Sequence, residues 1–312
     1  MSTATTTTGA AAGAATLTET VTTTKARGPR RSHLPGQRPF GPLRIVAFVV
    51  LLLLAIGWLL PFLWAVATAF KTETDAASGD PGWIGASGPT VEAFTAILSQ
   101  GNVYIWAFNS LLTSVAITVI TLAISAMAAY ALSRLDFTGR RWLFPVIIAS
   151  IVVPPQALII PLFYEMLAFN LIDTYWGLIL PQVVAPAMVF ILKRFFDAVP
   201  IELEDAARVD GAGRFRIFWS IVLPLSRPIL ASVAIFVFIA AWNNFLWPFL
   251  VINDTTLMTL PVGLQTVISA YGVQYAQVMA QAVLAALPLI IVFIIFQKQI
   301  VKGVATSGFG GQ

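Results

Sequence analysis

Residues able to do chemistry are few in this chain and unevenly placed. It has no cysteine and one histidine, His33, in a polar N-terminal stretch, which removes disulfides, thiol nucleophiles and His/Cys metal centres together. The densest charged cluster is Pro200-Ile-Glu-Leu-Glu-Asp-Ala-Ala-Arg-Val-Asp-Gly211. A second set is polar and aromatic, set in otherwise apolar runs: Gln156, Tyr164, Gln182, and Trp242-Asn243-Asn244-Phe245-Leu246-Trp247-Pro248. Amides exchange hydrogen bonds with hydroxyls, and aromatic faces cover C–H surfaces, so these residues suit reversible binding in a mid-membrane cavity. The same types also hold helices together and mark the membrane interface. Glu165 is the main ionisable group inside an apolar run; it suits either an ion-coupling role or a side chain snorkelling to the outer interface. No Gly-x-x-x-x-Gly-Lys-Ser/Thr loop is present, Gly211-Ala-Gly213-Arg being the nearest glycine cluster.

The elements that must position these residues are membrane spans. Of 312 residues 58% are hydrophobic and 10% charged, a balance outside that of ordinary soluble domains. Apolar runs predict six spans: Ile45–Phe70, Ala107–Ala131, Leu143–Phe169, Tyr175–Leu192, Ile229–Ile252 and Val278–Phe296. Ala65-Val66-Ala67 resembles a signal-peptidase site, but the apolar stretch is too long for a signal peptide, so the first span is read as an uncleaved anchor. Pro145, Pro154, Pro155 and Pro161 predict kinks or a break in the third span, with a bent packing helix or a gate near Pro154-Pro155-Gln156 as the two readings. Pro181 and Pro186 interrupt the fourth, Asp173-Thr174 marks a tight turn before it, and Leu260-Pro261-Val262-Gly263-Leu264 suits a re-entrant piece after the fifth. Residues 1–43, Thr/Ala-rich and then basic, read as a disordered tail, or as an arm touching anionic lipid or another subunit. With six spans both termini share a side, and 17 of the 18 lysines and arginines then fall on it, Lys71 being the exception. That places the tails and the loop 193–228 in the cytoplasm, and makes the basic pI a matter of topology, with no nucleic acid implied.

Within that loop the local signals predict a helix from Pro200 to Asp210. Pro200 suits the first position, Glu202, Glu204 and Asp205 load the positive first turn, Arg208 sits in the last, and Gly211 suits a left-handed cap. Such a helix is roughly 15 Å long, too short to span a bilayer, so it lies on the surface. Leu203, Ala206, Ala207 and Asp210 or Gly211 share a stripe, and the Ala207/Gly211 pair would let another surface approach closely.

Asp205-Ala206-Ala207, then Gly211, then Ile221, Leu223 and Pro224 have the spacing of the EAA loop, and in this the chain resembles the membrane subunits of bacterial ABC importers. The flanking residues, with Asp210-Gly211-Ala212, are similar to the carbohydrate permeases of the maltose-transporter type, where amino-acid, peptide and oxyanion permeases more often have Leu-Gly-Ala. The family's first Glu is Asp205 here, with Glu204 beside it keeping the acidic character. Asn109-Ser110-Leu111, Phe195-Phe196, Trp242-Asn243 and Gln297-Lys298-x-x-Val301-x-Gly303 extend the resemblance over most of the chain after Ile45, while Gly308-Phe309-Gly310-Gly311-Gln312 departs from the usual ending.

The resemblance implies an all-α polytopic membrane protein, with a six-span permease domain over residues 44–312 in the bacterial cytoplasmic (inner) membrane. Glu204, Asp205, Ala206, Ala207, Asp210 and Gly211 would form a coupling helix seated in a separate ATPase, with Ile221, Leu223 and Pro224 anchoring it. ATP and Mg would bind that ATPase dimer, leaving this chain without a cofactor and not itself an enzyme. A second permease subunit, an extracytoplasmic solute-binding protein and the lipid bilayer complete the implied partners. For a sugar, the path candidates are Trp242, Asn243, Asn244, Trp247, Gln156, Tyr164 and Gln182. Two other readings stay open: an ABC permease for a non-sugar solute, and an ion-coupled carrier acting alone.

Overall fold

The computed structural model describes residues 42–79, 82–99, 102–266 and 273–309, with side chains from Ile45 to Gln297. Residues 1–41 of the expected tail, including His33, and the ending 310–312 lie outside them. By contacts the chain divides into residues 1–56 and 57–312. The described part of the first unit is the beginning of helix α1 (Pro42–Ala69), where Phe48, Leu51 and Leu53 are all more than 60% exposed. A helix apolar on every face is a span solvated by lipid.

In the second unit the elements are α2 (Glu73–Ala77), α3 (Glu92–Ser99), α4 (Val103–Arg134), α5 (Arg140–Ile151), α6 (Ile159–Ala168), α7 (Tyr175–Ile179), α8 (Pro186–Asp197), α9 (Ile201–Val209), α10 (Arg214–Ile217), α11 (Leu223–Leu225), α12 (Arg227–Trp242), α13 (Leu246–Val251), α14 (Leu260–Thr266) and α15 (Tyr275–Phe309). The fold is all-α: no strand occurs among the described residues. α4 is the hub, packing along α8 and α12, and α12 packs in turn on α15. Its buried face carries Asn109, Ser110, Thr113, Ser114, Thr121, Ser125, Ala126 and Ala129, small residues that let neighbouring backbones come close. One apolar cluster gathers Trp106, Met166, Trp242, Trp247, Val251 and Leu260; a second gathers Ile117, Tyr130, Leu192, Phe196, Ile217, Phe218 and Val233.

Among the described residues three helices are long and apolar enough to cross a membrane, Ile45–Ala69, Val103–Arg134 and Tyr275–Gln297, and the number rises to six if each bent pair is one span. The pairs are Arg140–Ile151 with Pro155–Ala168, bent by 97°, Tyr175–Gln182 with Pro186–Asp197, bent by 50°, and Arg214–Leu225 with Arg227–Trp242, bent by 80°. Proline supplies the first two breaks as the sequence predicts, since Pro154, Pro155, Pro181 and Pro186 have no amide hydrogen to continue the ladder. Ahead of Pro224 the ladder slips into a π-helical turn over Phe218–Val222.

The expected fifth span, Ile229–Ile252, is not one helix. α12 stops at Trp242, and Asn243-Asn244-Phe245 separates it from α13. The two asparagine amides take over backbone hydrogen bonding there: Asn243 Nδ2 donates to the Ile239 carbonyl at 2.9 Å, and Asn244 Oδ1 accepts from the Trp247 amide at 3.3 Å. The expected re-entrant piece is α14, tied to the start of α4. Asn109 Nδ2 donates to the Thr256 and Met258 carbonyls at 2.8 and 2.9 Å, Ser110 Oγ accepts from the Leu260 amide at 2.8 Å, and Trp106 Nε1 donates to the Thr255 carbonyl at 2.7 Å. Gly263 lies flat on the Trp106 indole, where any Cβ would overlap the ring.

Candidate functional site: a surface helix and a cavity at the helix breaks

The charged cluster folds as α9, starting one residue later than expected because Pro200 is the extended N-cap rather than the first helical residue. Its far end is a Schellman cap: the Gly211 amide donates to the Arg208 carbonyl at 3.0 Å and the Ala212 amide to the Ala207 carbonyl at 2.9 Å, with Gly211 at φ +79°. Ala207, Ala212, Ile221 and Leu223 turn inward against the second apolar cluster, and Pro224 continues the segment into α12. Leu203, Asp205, Ala206, Val209 and Asp210 face out, Val209 being 88% exposed, and Phe215 and Trp219 extend this outer surface. The stripe expected to meet another surface is therefore Leu203, Ala206 and Asp210 without Ala207, which packs beneath it.

Glu204, expected as a first-turn acid of the coupling helix, is fully buried. Its Oε1 lies 2.8 Å from Nε of Arg134, the last residue of α4, and its Oε2 lies 3.8 Å from the guanidinium of Arg208. The Arg134 contact is an ion pair more than an aligned hydrogen bond. Arg134 Nη2 also donates to the Phe196 carbonyl in the last turn of α8 at 2.6 Å and to the Val199 carbonyl in the link to α9. A buried carboxylate needs such a partner, and the other acids here, Glu202, Asp205 and Asp210, face solvent. Sequence alone counted Arg134 only toward the orientation of the spans; an arginine ending a long apolar span, with acids ahead in a loop, is the signal that marks it.

The polar and aromatic candidates divide. A cavity of about 390 Å³ is lined by Gln156, Gln182, Asn244 and Trp247 among apolar neighbours that include Ile117 of α4, Met188 of α8 and Phe236 of α12. It sits where three breaks meet: Pro155 before α6, Pro181 and Ala185 before α8, and Asn244 before α13. Broken helices at membrane depth are tolerated where irregular backbone lines a cavity or is packed in protein. Asn244 Nδ2 donates to Gln182 Oε1 at 2.6 Å, and Gln182 Nε2 donates to the Leu178 carbonyl at 2.7 Å. Each amide group has a second N–H to give.

Trp242, Asn243 and Tyr164 lie off this cavity. Trp242 is buried between helices, its Nε1 donating to the Ala285 carbonyl of α15 at 3.2 Å, and its ring stacks on Phe238. Asn243 serves the end of α12, and Tyr164 is exposed, edge-on to Phe163. Trp247 does reach the cavity while its Nε1 donates to the Gly177 carbonyl at 3.0 Å.

Comparison with known proteins accords with this arrangement. The family model for the binding-protein-dependent transport system inner membrane component matches residues 121–306. The arabinooligosaccharides transport system permease protein AraQ of Halalkalibacterium halodurans is 39% identical, over 71% of this chain and 80% of that one. The trehalose/maltose transport system permease protein MalG of Thermococcus litoralis is 33% identical, over 86% of this chain and 98% of its own. A crystal structure of a bacterial ABC transporter involved in the import of the acidic polysaccharide alginate superposes with a TM-score of 0.73 at 22% identity, covering 84% of this chain and 98% of that chain, and so shares the fold. With a surface helix, a cavity at its helix breaks and a family match over more than half its length, the chain belongs to the inner membrane components of binding-protein-dependent transport systems.

Proposed function

We propose that this chain is one permease subunit of an ATP-driven sugar importer in the bacterial cytoplasmic membrane, forming half of the translocation pathway. The observation that carries the reading is that α4 and α8 line the cavity at Ile117 and Met188 and meet at their other ends on Arg134, which holds Glu204 of the surface helix α9 and the Phe196 carbonyl of α8. Relatives named for arabinooligosaccharide and trehalose/maltose transport support a sugar as cargo, as does Asp210-Gly211-Ala212. The apolar runs support six spans and the distribution of Lys and Arg supports both termini in the cytoplasm, with 1–43 as a cytoplasmic tail, 44–312 as the permease domain and 193–228 as its EAA loop.

α9 is then the coupling helix. Its outer face, Leu203, Asp205, Ala206, Val209 and Asp210, docks in a separate ATPase dimer that binds ATP and Mg. Gly211 ends the helix, and Ile221, Leu223 and Pro224 anchor it to the membrane core. A second permease subunit covers the exposed apolar rim of the cavity at Val184, Phe236 and Leu246, and an extracytoplasmic solute-binding protein delivers the sugar from the other side. Gln156, Gln182, Asn244 and Trp247 form this chain's share of the sugar path.

Uptake by the complete complex in lipid vesicles tests this. Gln182→Ala and Asn244→Ala each weaken half-saturation for an oligosaccharide by about five- to tenfold, the effect of one lost hydrogen bond, while Trp242→Phe stays within about twofold. ATP-dependent uptake of a peptide or amino acid with no sugar uptake contradicts the cargo. Uptake that persists without the ATPase and collapses with the proton gradient contradicts the whole reading.

A further inference from the structure

We infer that Arg134 is a positioning residue that transmits movement of α9 to α4 and α8 together; the inference rests on α9 being the coupling helix. Three elements meet on this one guanidinium. It terminates α4, its Nε lies 2.8 Å from Glu204 of α9, and its Nη2 reaches the Phe196 carbonyl in the last turn of α8 and the Val199 carbonyl in the link between α8 and α9. The contacts are shielded, the side chains of Arg134 and Glu204 being 10% and 0% exposed. Sliding α9 away from the helices strands a buried carboxylate, so the lower-energy course is for all three elements to move as one body. Arg208, the other cation near Glu204, is 43% exposed and 3.8 Å distant, and it belongs to α9 itself, so it cannot carry displacement out of that helix.

Arginine suits the joint because its planar fork serves a carboxylate on one edge and carbonyls on another, which a lysine ammonium does not reproduce. From Arg134 the cavity wall at Ile117 lies about 25 Å along α4, and from Phe196 the wall at Met188 lies about 12 Å along α8. Both are continuous helices over those stretches, so a shift at the joint arrives at the cavity as a rigid displacement.

The test uses the full complex with its cognate ATPase, second permease and binding protein in vesicles, with ATP hydrolysis and sugar uptake measured on the same preparation. Arg134→Lys keeps the charge and gives up the fork; Glu204→Gln keeps the shape and gives up the charge. Both variants are expected to retain the ATPase and hydrolyse ATP within about twofold of wild type, while sugar moved per ATP falls about tenfold. The double variant is expected to be no worse than either single one, as for two residues of a single linkage. Unchanged uptake per ATP in both variants, or losses that simply add in the double variant, overturns the joint and leaves α9 as a docking helix. Failure of the wild-type chain to hold any ATPase overturns the docking reading beneath it.

Discussion

Gly211 and Glu204 show at the scale of single residues what short-range and long-range interactions each decide. Gly211 has φ +79° and nothing within 4 Å of the position a Cβ would occupy, so its requirement is conformational, with no steric neighbour involved. Gly211→Ala is expected to cost about 1 kcal/mol, and Gly211→Val more because of its branched β-carbon, read as successive drops in the thermal midpoint of the detergent-solubilised complex. Equal midpoints for both variants and wild type would contradict the left-handed cap. This cap was legible in the sequence because its determinants, Arg208, Gly211 and Ala212, are neighbours in the chain. The inward turn of Glu204 was not, because its partner Arg134 arrives from a distant helix, and no local rule separates Glu204 from Asp205. The same holds among the aromatic residues: Trp242 and Trp247 look alike in sequence, and only the packing of α15 against α12 sends one to a helix interface while the other reaches the cavity.

At the scale of elements, the breaks that proline makes were legible and the break at Asn243-Asn244-Phe245 was not. Proline removes an amide hydrogen whatever its surroundings. Asparagine ends a helix only when its amide finds backbone partners, and these come from the fold. The turn before α7 is a further case. Asp173, at φ +56°, accepts hydrogen bonds from the Asn253 and Asp254 amides, the latter at 3.0 Å, and so ties the end of α13 to this turn. The Asp254 and Asn253 amides hold its carboxyl below the ordinary value of 3.8. A depressed pKa in the folded state means that the tether's contribution is fully present above the ordinary carboxylate range and is lost as pH falls through the lower, folded value. Amide exchange at Asn253 and Asp254, corrected for intrinsic rate, is therefore expected to be flat from pH 8 down to about 5 and to rise below about 4. Asp173→Asn is expected to abolish the step. A wild-type chain with no such rise has no tether of this kind.

For the whole molecule, composition was sufficient for the class and charge placement for the orientation proposed. The stretch 45–64 of α1, apolar and exposed on every face, has no place in water, and the Lys and Arg residues lie almost entirely to one side of the expected spans. On the proposed function, the work done on a solute enters this chain through a docking surface. α9 is the short helix with an outward apolar and acidic face and a buried ionic root, which makes its outer face the central claim. The direct measurement is co-purification of the cognate ATPase with the wild-type chain and with a Leu203→Lys/Val209→Lys variant. Both changed residues are exposed, and Glu204 and Ala207 beneath them stay intact. The account predicts that the ATPase accompanies the wild-type chain and is lost from a variant that remains monodisperse and helical. Undiminished retention of the ATPase by that variant would contradict it.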